Sequence, residues 1–187
     1  MSEFSVHVRR KRIYMTGFMG SGKSAVSPHV AQLLGYDSMD LDRMIMETEG
    51  MSIPAIFDVL GEQAFRDAEQ QALQATSGLE GVVVSLGGGT IMNPRNLAFC
   101  KEQGVLVGLR APVDVLCRRL ARRAGTRPLL LDAHGRMLTG PALRERVVSL
   151  LATRSPVYEQ ADILVDTGDR RAKDVAEDVV DALRRWP

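Results

Sequence analysis

The sequence predicts an α/β fold, with a parallel sheet of five short strands joined by crossover helices. Three observations carry that expectation. Short apolar runs alternate with longer amphipathic segments along nearly the whole chain, which is the rhythm of strands covered by helices. The first run feeds directly into "GFMGSGKS", Gly17 to Ser24, where small and flexible positions surround one lysine ahead of a helical segment. A length of 187 residues suits one domain with a real core, and no repeat, low-complexity tract or linker divides it.

The elements follow in chain order. "RIYMTG" (Arg12–Gly17) reads as the first strand, and "KSAVSPHVAQLLG" as a helix closed by Gly35. Pro28 falls inside that helix, where its missing N–H should remove one backbone bond and bend the axis. A short second strand lies in "DSMDLD" and ends near Asp40. Helical pieces are expected over 42–49 and over 52–60, the latter with Ser52 as N-cap and Pro54 in its first turn. A longer helix should run over 62–75. "GVVVSLGGGT" is a buried strand running into three glycines. A helix over 95–102 leads to the strand "VLVGLR", and Pro112 starts the helix carrying "DVLCRRLARR". "DILVD" is the last strand, and Ala172–Arg185 is a closing amphipathic helix. Residues 125–139, "GTRPLLLDAHGRMLT", break the rhythm with one proline, two glycines and no sustained period. Long aperiodic loops in compact domains are often lids over a site.

Composition narrows the function classes. A formal net charge of +1 gives no global field toward nucleic acid or a membrane surface, so neither partner is expected. Cys100 and Cys117 lie far apart with no C-x-x-C spacing, as in a reduced cytoplasmic protein. His7, His29 and His134 share no ligand spacing, so no zinc site is expected. The N-terminal stretch is basic and lacks the apolar region of a secretory signal. No run approaches the roughly 18 apolar residues of a membrane span.

"GFMGSGKS" satisfies G-x-x-x-x-G-K-[ST] in the strand-to-helix context the motif requires. Bare positions at Gly17, Gly20 and Gly22 let the backbone curl so that N–H groups point inward, toward phosphate oxygens. Lys23 can reach the β- and γ-phosphates of a nucleoside triphosphate, and the Ser24 hydroxyl can take a Mg²⁺ position. The loop alone does not name an acceptor. In "VVVSLGGG" the strand ends in serine and glycine rather than the aspartate of many motors and switches, which leaves Asp40 and Asp42 as the nearest carboxylates. If the chain stays extended, residues two apart share a face, and both would look into the crevice beyond the strand ends. The other reading is a solvated loop with Asp42 as a helix N-cap.

On the helix in "GEQAFRDAEQ", Glu62, Arg66 and Glu69 (or Gln70) share a face beside Phe65. An arginine held by flanking carboxylates is a pre-oriented fork for an anion, though exposed ion pairs of this kind are also common. Gly87, Gly88 and Gly89 open a second bare stretch after a buried strand, and Arg154 stands two residues before a proline in "TRSPVYEQAD". The most basic run, "CRRLARRAGTR", lacks the interleaved aromatics of a nucleic-acid patch and suits a helix leading to a lid beside a triphosphate.

Together these motifs resemble those of the shikimate kinase family, within the nucleoside-monophosphate-kinase-like group of P-loop folds. The resemblance runs in order through "GFMGSGKS", "DSMDLD", "FDVLGEQAFR", "SLGGG", "RPLL" and "TRSPVY". It implies a three-layer fold, a five-stranded parallel sheet of order 2-3-1-4-5 with helices on both faces and a mobile lid. The chain would be a single domain over 1–187, with a flexible extension over 1–11, a substrate-binding helical region over 41–80 and the lid over 122–140. Met19, Gly20, Ser21, Gly22, Lys23 and Ser24 would hold ATP, with Ser24 and Asp40 serving Mg²⁺, the latter through water. Asp42 would bind a ring hydroxyl and accept its proton, and Arg66 and Arg154 would hold the substrate carboxylate beside backbone contacts from Gly87, Gly88 and Gly89. Arg127 would reach the phosphates as the lid closes, acting in catalysis with Lys23 and Asp42, while Arg122 or Arg123 would flank adenine.

The family transfers the γ-phosphoryl of ATP to the 3-hydroxyl of shikimate, a step toward chorismate and the aromatic amino acids, and acts as cytoplasmic monomers. Physical chemistry agrees with that arrangement. Phosphoryl transfer needs positioning and charge neutralisation more than covalent help, and a lid excludes the water that would waste ATP. Two rival readings share the loop: a gluconate-type sugar-acid kinase, and an ATP-binding regulatory module without an acceptor. An arginine pair at an acceptor pocket argues against the second.

Overall fold

Five of the apolar runs form strands: β1 (Arg12–Gly17), β2 (Asp37–Asp40), β3 (Val82–Ser85), β4 (Gly104–Arg110) and β5 (Ile163–Asp166). The computed structural model describes residues 12–122 and 128–187. All the strand pairs are parallel, in the order β2-β3-β1-β4-β5. The central strands read as near-continuous apolar runs because both of their faces are covered. The edge strand β2, "DSMD", is polar and half exposed. From β1 the chain first builds outward through β2 and β3, then crosses over β1 to add β4 and β5. The C-terminal edge beside β1 is therefore a topological switch point, where open α/β sheets place their ligands.

Side chains alternate across each strand and so divide the core in two. Tyr14, Val82, Val84 and Leu106 face one core. There they meet α2 (Leu41–Glu49), α3 (Ile53–Val59), α4 (Gly61–Gln74), α5 (Pro94–Gln103), α6 (Val113–Arg122) and α7 (Gly140–Tyr158). Ile13, Met15, Val83, Val105 and Val107 face the other core, closed by α1 (Lys23–Leu34) and α8 (Ala172–Arg185). Each fully buried aliphatic side chain contributes roughly 1.5–3 kcal/mol, so the two cores hold the sheet rigid beneath its C-terminal edge. Among the described residues no helix is long and apolar enough to cross a membrane.

The local signals act as expected at most boundaries. Ser52 caps α3 by accepting from the Ala55 N–H, with Pro54 in the first turn. Gly35 ends α1 in the left-handed region at φ 69°. Pro28 does not interrupt α1, which runs through it to Leu34; the proline removes only the N–H that would have bonded the Ser24 carbonyl.

Two segments differ from the sequence reading. The 19-residue helix α7 was not among the expected elements. Its apolar run sets buried Val147 beside Val148, which is 45% exposed, and this blurs the helical period. Residues 128–139, read as an aperiodic loop, carry more local order than the sequence declared. Leu131 and Met137 pair across a short antiparallel bridge, and the Asp132 carboxylate accepts from the His134 and Arg136 N–H groups at 2.8 and 2.9 Å. Fully buried Leu130 anchors that hairpin. The expected extension over 1–11, and Arg123 and Arg127 on the expected lid, lie outside the described residues.

Two tests follow from this packing. A Cβ on Gly104 would lie 2.2 Å from the Arg12 carbonyl oxygen, a backbone atom fixed by the β1–β4 ladder. Gly104→Ala should therefore lower stability by about 3 kcal/mol, read as a fall in the urea midpoint at unchanged slope. Burial pushes the Cys100 thiol up to about 12, whereas Cys117 is only half-buried. A thiol reagent at pH 8 should label Cys117 alone in the native protein, and both cysteines once it is unfolded.

Candidate active site

The β1–α1 turn is shaped by what glycine permits. Gly17 has φ 138°, and a Cβ there would sit 2.3 Å from the Leu109 carbonyl oxygen. Gly22, at φ 110°, is the N-cap of α1 and places no side-chain cap over the helix start, where the dipole favours an anion. Lys23 is 8% exposed and folds over the loop, donating to the carbonyls of Gly17 at 2.7 Å and Phe18 at 3.3 Å. Its ammonium is thereby held at the mouth of a cavity of about 400 Å³.

Met19, Gly20, Ser21, Gly22, Lys23 and Ser24 line that cavity together with Asp42 and Gly88. Arg119, Arg122, Thr167, Arg170 and Ala172 line it as well. A nest of backbone donors, a lysine and three arginines make up the donor set a polyphosphate needs. The residues present therefore fit a nucleoside triphosphate. Of the two arginines expected to flank adenine, Arg122 lines the cavity and Arg123 lies outside the described residues.

A second cavity, of about 340 Å³, opens on the other side of the α1 start. Ser24, Ser27, Asp40 and Ser85 face it, and Asp40 pairs in register with Ser85. The Ser85 hydroxyl is buried without a hydrogen-bond partner. Hydroxyl and carboxylate oxygens are the hard donors magnesium takes, and magnesium keeps most of its other positions for phosphate and water. The Ser24–Asp40 set fits that ion.

Asp40 and Asp42 do not share a face. The chain turns from strand to helix at Leu41, so the alternation that would have aligned them stops between the two. Asp40 closes β2 and caps α2, accepting from the Arg43 N–H at 3.2 Å; the cap is therefore Asp40 and not Asp42. Asp42 lies in the first turn of α2 and faces the main cavity. Ser24 lines both cavities and stands between them.

On α4, Arg66 donates to Glu69 at 3.0 Å and to Glu62 at 3.4 Å. Of the two residues the helical spacing allowed, Glu69 is the partner. It is 2% exposed and accepts from the Thr90 hydroxyl at 2.7 Å, while Asn96 donates to the Thr90 carbonyl at 3.0 Å. Arg66 also lies 5.1 Å from the centre of the Phe65 ring. A buried carboxylate with several donors is costly to disturb, so it fixes the guanidinium direction. The glycines are needed for this close packing. A Cβ on Gly89 would lie 3.3 Å from Arg66 Nη1, and one on Gly87 would lie 3.0 Å from Asp42 Oδ1.

Arg154 reaches the same segment from α7. Its guanidinium lies near the Tyr158 hydroxyl, which donates to the Gly88 carbonyl at 2.5 Å. Burial raises the Tyr158 pKa, and Arg154 partly opposes that rise. The structure thus brings Arg66 to Gly89, Arg154 through Tyr158 to Gly88, and Asp42 to Gly87. Sequence reasoning missed Thr90, Tyr158, Arg119 and Arg170. Tyr158 was within reach: it stands four residues after Arg154, a helical neighbour once α7 is recognised.

Comparison with known proteins bears on this geometry. A family model described as shikimate kinase matches residues 19–184. The shikimate kinase of Salinibacter ruber is 42% identical over 172 residues, covering 92% of this chain and 84% of the relative. That of Thermus thermophilus is 40% identical over 173 residues, covering 92% and 90%. Among solved structures, the shikimate kinase of Acinetobacter baumannii in complex with shikimate superposes with a TM-score of 0.83 at 32% identity, covering 92% of each chain. A gluconokinase from Sinorhizobium meliloti, at 20% identity and a TM-score of 0.58, shares the fold alone. The family model spans the phosphate loop, the α4 arginine, the glycine segment and α7 together, and the chain belongs to the shikimate kinase family.

Proposed function

We propose that this protein is a shikimate kinase, transferring the γ-phosphoryl group of ATP to the 3-hydroxyl of shikimate to yield ADP and shikimate 3-phosphate. One observation carries the reading beyond a generic nucleotide site. Arg66, held by buried Glu69, and Arg154, beside Tyr158, come from separate helices to one glycine segment beside the phosphate loop. Two forks beside a bare backbone suit a carboxylated acceptor and argue against an ATP-binding module without one.

In the reaction a bond forms between the 3-oxygen and the γ-phosphorus while the bond from that phosphorus to the β–γ bridging oxygen breaks. The hydroxyl proton passes to Asp42, which faces the cavity beside Ser24 and Gly88. Lys23 leaves the carbonyls of Gly17 and Phe18 to meet the phosphates, so its charge lies where negative charge grows on the leaving ADP. Arg66 and Arg154 orient the acceptor by its carboxylate. Ser24 and Asp40 would hold Mg²⁺, which would supply charge neutralisation to the phosphates. Arg127 would add its charge from the lid. We further infer a cytoplasmic monomer, since a site built within one chain needs no partner.

Asp42→Asn should lower kcat by about 10²- to 10⁴-fold with little change in ADP affinity, since its role is on the acceptor. ATP binding that collapses while shikimate binding survives would reverse the roles of Asp40 and Asp42. The arginines are tested with shikimate and its methyl ester. Esterification should cost about 2–5 kcal/mol in binding to the wild type, with ATP affinity unchanged. Arg66→Ala and Arg154→Ala should each weaken binding of the acid strongly and of the ester much less. Equal losses for acid and ester in both variants would remove the carboxylate-binding role and, with it, the choice of shikimate as acceptor.

A further inference from the structure

Glu69 gives each of its oxygens to a different donor. Arg66 Nη1 donates to Oε2 at 3.0 Å, and the Thr90 hydroxyl donates to Oε1 at 2.7 Å. Thr90 is fully buried, and its backbone is fixed in both directions. Its N–H donates to the Gly87 carbonyl at 3.3 Å, and its carbonyl accepts from the Asn96 side chain at 3.0 Å. A Cβ on Gly87 would lie 3.0 Å from Thr90 Oγ1 and 3.2 Å from Glu69 Oε1, so the pair packs against that bare backbone.

The division matters because a guanidinium can offer a carboxylate two parallel N–H groups, and the pair is strongest when both are taken. Glu69 is 2% exposed, so an oxygen left without a donor there is costly. Without the threonine hydroxyl, Oε1 would turn to the charged donor already in contact with Oε2, which is Arg66. The single-point contact would become a two-point fork, and a second guanidinium N–H would be lost to any other anion. Nη1 and Nη2 are the groups at stake, since a Cβ on Gly89 would lie 3.3 and 3.6 Å from them. The other partner of Nη2, Glu62 at 3.4 Å, has a side chain 70% exposed, and such a pair yields readily to a better anion.

We propose that Thr90 is a positioning residue for acceptor recognition: its hydroxyl keeps the Glu69–Arg66 contact to a single point and so leaves guanidinium N–H groups for the acceptor's carboxylate. The inference rests on the reading of Arg66 as a ligand of that carboxylate. It gives Thr90 a part in selecting an anion, beyond its part in packing. The donor is what counts. Serine supplies the same hydroxyl, whereas valine keeps nearly the same volume and donates nothing.

The test is binding of shikimate and its methyl ester by calorimetry, with kcat and KM for both substrates measured alongside. The wild type and Arg66→Ala test the carboxylate reading first: the wild type should prefer acid to ester, and Arg66→Ala should reduce that preference. A preference undiminished in Arg66→Ala removes that reading and the inference with it. Thr90→Val should weaken binding of the acid by about ten-fold and of the ester by no more than about two-fold. KM for shikimate should rise to match, while KM for ATP stays within about two-fold. Thr90→Ser should bind the acid as the wild type does. In the Arg66→Ala background, adding Thr90→Val should cost binding of the acid nothing further. An equal loss of acid and ester in Thr90→Val assigns the threonine to packing alone and overturns the proposal. Unchanged affinity of Thr90→Val for the acid overturns it as well. If Thr90→Val fails to fold, Thr90→Cys, close in size and a poor donor, decides by the same comparison.

Discussion

The Gly17 backbone lies so close to the Leu109 carbonyl that a single added carbon would strike it. Much of the site depends on that approach. Gly17 and Leu109 are the last pair of the β1–β4 ladder, which therefore runs to the very start of the phosphate loop. The loop therefore leaves the sheet in a direction set by the core rather than by its own flexible residues. The Gly17 carbonyl is also the shorter of the two contacts that hold Lys23. Where the sheet ends, the lysine, the start of α1 and the cavity are placed together. Backbone donors fixed in this way cost no rearrangement as charge develops.

On the acceptor side a buried carboxylate organises the site. Glu69 is costly to bury unless its oxygens are satisfied, and both Arg66 and Thr90 donate to it. The two ion pairs of Arg66 are not equivalent. The Glu62 side chain is 70% exposed and screened by water, whereas that of Glu69 is 3% exposed. The surface pair adds little, and the buried one fixes where the guanidinium points. Gly87 and Gly89 let Asp42, Glu69 and Arg66 close around one backbone segment, where side chains would push them apart.

The arginines after β4 divide their work by position. Arg118 pairs with Asp169 in the loop after β5, Arg119 ties two loops together, and Arg122 faces the cavity. A run that looks uniformly basic in sequence thus performs three tasks, distinguished by the helical angle at which each side chain leaves α6.

The strands, most helix boundaries and the phosphate loop were legible because each rests on local chemistry: apolar runs, capping residues and glycines at tight turns. Strand order and the acceptor followed from motifs in series, which resemble a family as a set although none is decisive alone. What the chain could not declare lies where distant segments meet. Asp40 and Asp42 diverge because the strand ends between them, a boundary one residue wide. Glu69 rather than Gln70 holds Arg66 because only its side of α4 meets Thr90 across the glycine segment. The acceptor-side role of Tyr158 needs α7, whose period is blurred by a mixed apolar run. Arg119 stands out among its neighbours only once the sheet brings the loops after β1 and β5 within reach of one guanidinium. Local order is written in neighbouring residues, whereas facing and reach are set by packing among elements far apart in the chain.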